Sequence, residues 1–329
     1  MKSNKKLLLF INLLLFAIAI IFINGCNKDN ITESVPTDDQ YLQSIVSGGY
    51  SSNQNDEDNL MSYETNDLDN GGAIGDNDNG PMTPIDSLHK WGRKVINVNL
   101  NYNITNEGDT LKVIHITRTI SGNYVIQGYI SGQLQTISKP YMEVFNRNVT
   151  FKRVNRLPNP RFNWRLYKIS MLSGGTTQPQ IGGDKVSITK AEIFINGSGT
   201  PSYVFNGPDF TQNEFTTLYF GGNGIPTINR NSSVKIKIYT TSQESEIDYV
   251  AWHWARNTFG FHRVPFVLES QTGTGPFYRV YTKTFNIYAE HKLGAHNGYI
   301  SASTHESLYD DNPLMLASTE IGLLYKVLQ

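Results

Sequence analysis

The sequence predicts an all-β protein, in which an antiparallel β-meander or sandwich domain is followed by a second β-sandwich region and preceded by a disordered acidic tether. Short runs of strand-forming residues recur through residues 84–329, with glycine-rich connectors between them and no convincing amphipathic helix. The 18 Tyr and 16 Phe are too many for a wholly disordered chain. These two observations favour packed antiparallel sheets.

The first residues have the three parts of an export signal. Lys2, Lys5 and Lys6 precede an apolar run from Leu7 to Ile23. As a helix this run would span about 26 Å, which is short of the roughly 30 Å hydrocarbon core, so a cleaved signal over residues 1–25 is favoured over a retained membrane anchor.

The residues that end the apolar run, Ile23-Asn24-Gly25-Cys26, resemble the lipobox of bacterial lipoproteins. The resemblance implies cleavage between Gly25 and Cys26, a lipid on the Cys26 thiol and a stable membrane anchor. The next residue is Asn27 rather than Asp, which in that family favours the outer membrane, and Lys28-Asp29 partly resembles a surface-export signal of Bacteroidetes-like lipoproteins. The alternatives are an ordinary secretory signal and a signal anchor.

Residues 26–83 are predicted to be the lipidated cysteine and a disordered acidic linker. Residues 27–83 hold one base, Lys28, against twelve acids, a net charge of −11. Their sparse apolar residues cannot offset an ordering entropy of about 1–2 kcal/mol per residue. A flexible coil of this length would reach roughly 40 Å.

Residues 84–158 are predicted to form the first β domain. Apolar residues from Ile96 to Ile104 alternate strictly with asparagines. This period of two residues is typical of a strand with one solvent-exposed face. Further strands are expected at Leu111–Ile120, Tyr124–Ile130, Leu134–Ser138 and Met142–Val154, with a turn at Ser121–Asn123.

Residues 159–329 are predicted to form the second β-sandwich region. The stretch from Ser232 to Gln329 resembles immunoglobulin-like bacterial modules in its strand rhythm and in a tryptophan on a candidate third strand, although paired cysteines are absent from it. The resemblance implies a fold and no activity.

Two groups of residues are candidate binding surfaces. Trp252 and Trp254 share one face of a predicted strand and could grip a sugar ring, although core packing is the competing interpretation. Seven bases, interleaved with aromatic residues and free of acids, form a candidate polyanion patch: Arg147, Lys152, Arg153, Arg156, Arg161, Arg165 and Lys168. Export argues against nucleic acid as the partner, which leaves lipopolysaccharide phosphates, acidic glycans or the acidic arm of the protein itself. A plain solvated strand face is the alternative.

Catalytic, metal and cofactor signatures are absent from the sequence. It has no Gly-x-Ser-x-Gly elbow, no phosphate-binding loop and no dinucleotide fingerprint. Cys26 is the single cysteine, which excludes disulfides within the chain and multi-thiolate zinc sites. The five histidines after residue 250 lack the spacing of a metal site, so no metal and no cofactor are expected.

The sequence therefore predicts a protein of the cell envelope, held to the outer membrane by a lipid and with a non-catalytic adhesive, structural or ligand-binding role. Its expected partners are the membrane and a glycan or another envelope protein. One alternative is a carbohydrate-binding accessory lipoprotein. Another is a hydrolase on a β scaffold, because paired carboxylates can be distant in sequence.

Overall fold

The computed structural model describes residues 35–47, 84–217, 220–257 and 260–329, with side chains described outside residues 254–262. Residues from Thr37 to Gln329 form one compact unit. This part of the chain is mostly β, with antiparallel sheets in a curled, sandwich-like arrangement, which confirms the predicted fold class. Within it, no helix has the length and apolar character that crossing a membrane requires.

The regular elements are numbered in chain order. The helices are α1 (Asp38–Val46), α2 (Gly182–Lys185) and α3 (His305–Tyr309). The strands are β1 (Ser87–Glu107), β2 (Leu111–Ile130), β3 (Gln133–Arg153), β4 (Trp164–Ser170), β5 (Leu172–Gln178), β6 (Val186–Ile195), β7 (Tyr203–Asn206), β8 (Glu214–Thr216), β9 (Thr227–Asn229), β10 (Ser233–Ser242), β11 (Tyr249–Asn257), β12 (Gly260–Pro265), β13 (Val267–Thr272), β14 (Phe277–Asn286), β15 (Gly294–Ser303) and β16 (Ser318–Leu328).

The described strands form two sheets. The large sheet has the order β1-β2-β3-β5-β16-β15-β11-β12, with β4 and β8 beside β3 and with β9 beside β16. The small sheet has the order β13-β14-β10-β6-β7. The pairings are antiparallel except for β9 with β16, which is parallel.

The meander that opens the large sheet has longer strands than predicted. β2 continues through Ser121–Asn123, where a turn was expected, and β3 continues through Pro140. A Cβ at Gly122 would collide with the carbonyl oxygen of Lys94, at the register shift in β1. The glycine thus marks a close approach of two strands at a bulge, not a chain reversal.

The large sheet contributes to two buried clusters. One lies against the small sheet and includes Ile236 and Leu323. The other lies inside the curl of the large sheet, around Trp91, Tyr124 and Phe145. On β11, adjacent residues point to opposite faces, so Trp252 lines the space towards the small sheet while His253 stacks on Tyr299 inside the curl.

The predicted division of the body at residue 158 does not separate two cores. β3 lies before that residue, yet it pairs with β4 and β5, which lie after it. Val149 and Phe151 of β3 belong to the same buried cluster as Ile236 of the small sheet. Segments 84–158 and 159–329 therefore share one sheet and one core, because β3 is long enough to pair with several strands on its second edge.

Helix α1 lies within the predicted disordered linker, so that prediction is wrong for residues 38–46. A capping box between Thr37 and Gln40 begins the helix, and Leu42 is fully buried in the core between the sheets. Asp38 and Asp39 form ion pairs of 2.6 Å with Arg153 and Lys112. A single apolar stripe on nine residues is enough to dock a helix on an existing core, although it is too short to fold alone. Predictions for residues 1–34 and 48–83 lie outside the described residues.

We expect Leu42→Ala to lower the free energy of unfolding by about 2–5 kcal/mol, because it empties a buried site in the core. Gln43→Ala, on the exposed side of the same helix, is the matched control and should change it by less than about 0.5 kcal/mol. Chemical denaturation measures both. Equal and negligible effects would show that α1 is not docked.

Candidate functional site

A cavity of about 180 Å³ lies between the two sheets. Its walls are apolar and aromatic, and both sheets contribute to them. The small sheet supplies one side and the large sheet the other, and the principal wall residues are Ile193, Val234, Ile236, Phe285, Trp252 and Tyr325. The cavity is therefore a gap in the core of the sandwich, not a groove on its surface.

Trp252 forms the aromatic end of this cavity. Its indole lies between Phe285 and Tyr325, with ring centroids 6.5 Å and 6.1 Å away. A Cβ at Gly298, on the neighbouring strand β15, would collide with the indole, so glycine at this position leaves the space that the ring occupies. Trp252 is 4% exposed.

The proposed sugar-binding face is not present at Trp252. An exposed ring is needed to stack on a sugar, and this indole is buried against other aromatic rings. The side chain of Trp254 lies outside the described residues. The aromatic residue that the sequence singled out thus belongs to an interior site.

The cavity reaches the protein surface beside Asn286 and Tyr288. Both residues line it and both are exposed, Tyr288 to 60%. His291 also lines the cavity and is buried. Its Nδ1 lies 3.0 Å from the carbonyl oxygen of Lys292. With the Asn286 amide and the Tyr288 hydroxyl, this imidazole makes the rim polar where the walls are not.

A second buried group of side chains lies inside the curl of the large sheet. Arg93 donates to Glu143 Oε2 at 2.9 Å, to Glu320 Oε1 at 3.1 Å and to the Tyr299 hydroxyl at 2.6 Å. The ring of His253 stacks on Tyr299 with a centroid distance of 4.1 Å. One guanidinium thereby joins β1 to β3, β15 and β16.

This convergence of carboxylates lacks a substrate cleft. Glu143 and Glu320 are buried, and the cavity beside Glu320 has a volume of about 30 Å³. Such a space is of the order of one water molecule and is too small for a substrate. The network therefore ties strands together, and the hydrolase alternative gains no support from it.

The seven predicted patch bases do not lie on one surface. Arg147 is buried inside the curl, where it lines the small cavity beside Glu320. It belongs with the interior ionic network because the strand that carries it faces the curl at that point. Arg147 was grouped with the other six bases of the predicted patch only because it is close to them in sequence.

The remaining bases surround the end of β3 and the start of β4. Arg153 pairs with Asp38 and lies 4.7 Å over the Trp164 ring, while Lys168 pairs with Glu214 at 3.2 Å. Lys152 lies over the Tyr167 ring at 5.3 Å. Arg165 is half-buried, and Arg156 and Arg161 are exposed. Asp38 of helix α1 is thus one anionic side chain that this surface binds.

Sequence reasoning missed most of the cavity. Phe285, Tyr288 and Tyr325 lie on different strands or loops and show no shared motif. The signal that did exist was the placement of Trp252 on a strand face with Val250. Within the described residues, no group of three or more His, Cys, Asp or Glu side chains could hold a metal ion.

Neither the known protein-family models nor the curated proteins include a match to this chain. The case for a function therefore comes from the chemistry of the chain and its geometry.

We expect Arg93→Met to lower the free energy of unfolding by about 3–5 kcal/mol, because it takes the charged partner from two buried carboxylates. Lys94→Met, at the exposed neighbouring position of β1, should change it by less than about 0.5 kcal/mol. Denaturant titration of both variants provides the measurement. If Arg93→Met were as stable as the parent, the ionic network would not stabilise the fold.

Proposed function

We propose that this protein is a lipid-anchored, non-catalytic binding protein of the bacterial envelope, and that it takes a small apolar molecule into the cavity between its two sheets. The cavity itself is the observation that carries the proposal. Its walls come from both sheets, and its polar rim lies at the surface.

The size of the cavity supports a binding role. Protein interiors are close-packed and contain few voids larger than a water molecule. The volume of about 180 Å³ between the sheets is well above that size. Together with the opening beside Tyr288, this volume is consistent with space for a ligand.

The lining indicates the class of ligand. An engineered apolar cavity of about 150 Å³ binds benzene, so this volume suits a single ring with a small substituent. Trp252, Phe285 and Tyr325 offer ring faces and edges to such a ligand. A polar substituent would lie at the rim, near Asn286, Tyr288 and His291.

The anchor is the second part of the proposal. The lipobox-like residues Ile23 to Cys26 support lipidation of the single cysteine. Asn27, where Asp would favour the inner membrane, supports attachment to the outer membrane, and Lys28-Asp29 supports exposure at the cell surface. Two or three acyl chains would hold the protein on the bilayer, because each buried methylene contributes about 0.8 kcal/mol. The role is then to bind a molecule at the envelope and not to transform it.

We expect one-ring aromatic probes, such as toluene and p-cresol, to stabilise the protein by about 2.7 kcal/mol at a hundred times their dissociation constants. Ile236→Phe should abolish this effect while the variant stays folded, because the added ring fills the cavity. Leu134→Phe, at an exposed position, is the matched control and should bind like the parent. Calorimetric titration and denaturation curves give the result.

Two outcomes of the probe experiment would refute the cavity as the ligand site. In the first, none of a panel of one-ring and two-ring probes binds to the parent protein. In the second, Ile236→Phe is folded and binds as well as the parent.

We expect Cys26→Ser to abolish incorporation of labelled palmitate in the producing bacterium and to move the protein out of the membrane fraction. Lipid attachment requires the thiol, so no other residue of the sequence can replace it. Palmitate label retained by Cys26→Ser would refute the anchor and leave the cavity experiment unaffected.

A further inference from the structure

The segment between β3 and β4 combines exposed apolar side chains with arginines. Val154 is 36% exposed, Leu157 is 51% exposed and Phe162 is 47% exposed. Arg156 and Arg161 are exposed in the same segment. We call residues 154–163 the basic apolar loop. Exposed apolar and basic residues in alternation are typical of surfaces that contact a lipid headgroup region.

Bases outnumber acids among the described residues at this end of the molecule. Asp38, Asp39 and Glu214 form ion pairs with Arg153, Lys112 and Lys168. Glu107 and Asp109 lie at the end of β1 and in the turn after it, next to Thr110, whose carbonyl accepts from the Arg153 N–H. Against these five acids stand seven bases: Lys112, Lys152, Arg153, Arg156, Arg161, Arg165 and Lys168.

Hydrogen bonds hold the loop in one shape. The Asn163 side chain accepts from the backbone N–H of Leu157 at 2.7 Å and donates to the Leu157 carbonyl at 2.8 Å. The Asn159 side chain accepts from the backbone N–H of Arg161 at 3.0 Å. The apolar side chains are therefore presented by an ordered backbone, which lowers the entropy cost of binding a surface.

The loop lies beside the point where the described body begins. The Tyr41 hydroxyl donates to the carbonyl oxygen of Arg161 at 3.5 Å, and Asp38 pairs with Arg153. Helix α1 thus begins beside the loop. Cys26 is eleven residues before Thr37, and a fully extended chain of that length spans roughly 40 Å. A lipid on Cys26 would therefore keep this end of the body close to the bilayer.

We propose that the basic apolar loop is a membrane-contact surface, in which Arg156 and Arg161 of the loop, together with Arg165 at the start of β4, bind anionic lipid headgroups while Leu157 and Phe162 enter the interface. The orientation of the body rests on the lipid anchor of the proposed function. The affinity of the loop for anionic lipid is a property of the described residues and is independent of that anchor.

The strength of this contact follows from its charges. A base close to an anionic bilayer strengthens binding about fivefold, so loss of three arginines weakens it roughly a hundredfold. Salt should weaken it as well, because the attraction falls off within about 10 Å at 0.1 M ionic strength.

The test uses the chain from residue 26 to residue 329 with Cys26→Ser, which removes the lipid and keeps all described residues. We expect it to sediment with vesicles of phosphatidylglycerol and phosphatidylethanolamine, and far less with phosphatidylcholine alone. The triple variant Arg156→Gln, Arg161→Gln, Arg165→Gln should bind the anionic vesicles roughly a hundredfold more weakly.

The matched control removes three bases from other parts of the body, through Lys94→Gln, Lys283→Gln and Lys292→Gln. It has the same net charge as the loop variant and should bind like the parent. Equal weakening in the two triple variants would overturn the proposal, because binding would then follow net charge. Failure of the parent to bind anionic vesicles would overturn it as well.

A second measurement tests whether the loop itself enters the interface. Because the Cys26→Ser chain has no other cysteine, Leu157→Cys can carry an environment-sensitive dye. Its emission should shift to the blue on anionic vesicles, while the same dye at Leu134→Cys, near the opposite end of β3, should not respond. A shift at residue 134 alone would overturn the proposed orientation. These outcomes do not depend on the palmitate experiment. The membrane contact of the loop and the lipidation of Cys26 can therefore be refuted independently.

Discussion

The ionic contacts of Arg93 join β1 to β3, β15 and β16, and the curl of the large sheet depends on them. A single guanidinium on β1 contacts Glu143 on β3, Glu320 on β16 and Tyr299 on β15, so it links strands that are far apart in the order of the large sheet. Buried charges of this kind are costly unless they are fully satisfied, and removal of one partner is more harmful than replacement of the whole group. The curl of the large sheet therefore depends on a polar network inside an otherwise aromatic core.

The cavity between the sheets follows from the opposite face of the same strands. Tyr299 faces the curl and stacks on His253 of β11. Trp252 directly precedes His253, so its side chain points to the opposite face of the strand, towards the small sheet. Gly298 makes room for the indole, and the small sheet meets it with Phe285. The cavity and the ionic network thus lie on opposite faces of the pairing between β11 and β15.

The sequence was most informative where the structure depends on local patterns. The alternation from Ile96 to Ile104 lies within β1, and the all-β class is confirmed. The turn predicted at Gly122 was wrong because glycine occurs both in turns and where two strands approach closely. Helix α1 was hidden in an acidic segment because its stability comes from Leu42 and from ion pairs with Arg153 and Lys112, which are distant in sequence. The cavity was not predictable, since its walls meet only when two sheets pack.

We propose that the space between Trp252 and Ile236 binds a small aromatic ring. The most direct measurement is a crystal structure of the protein soaked with a one-ring aromatic compound that carries a heavy halogen atom. We expect an anomalous peak inside the cavity, between the indole of Trp252 and the small sheet, with the polar substituent towards Tyr288. Anomalous density confined to the protein surface, with the cavity unfilled at saturating compound, would contradict it.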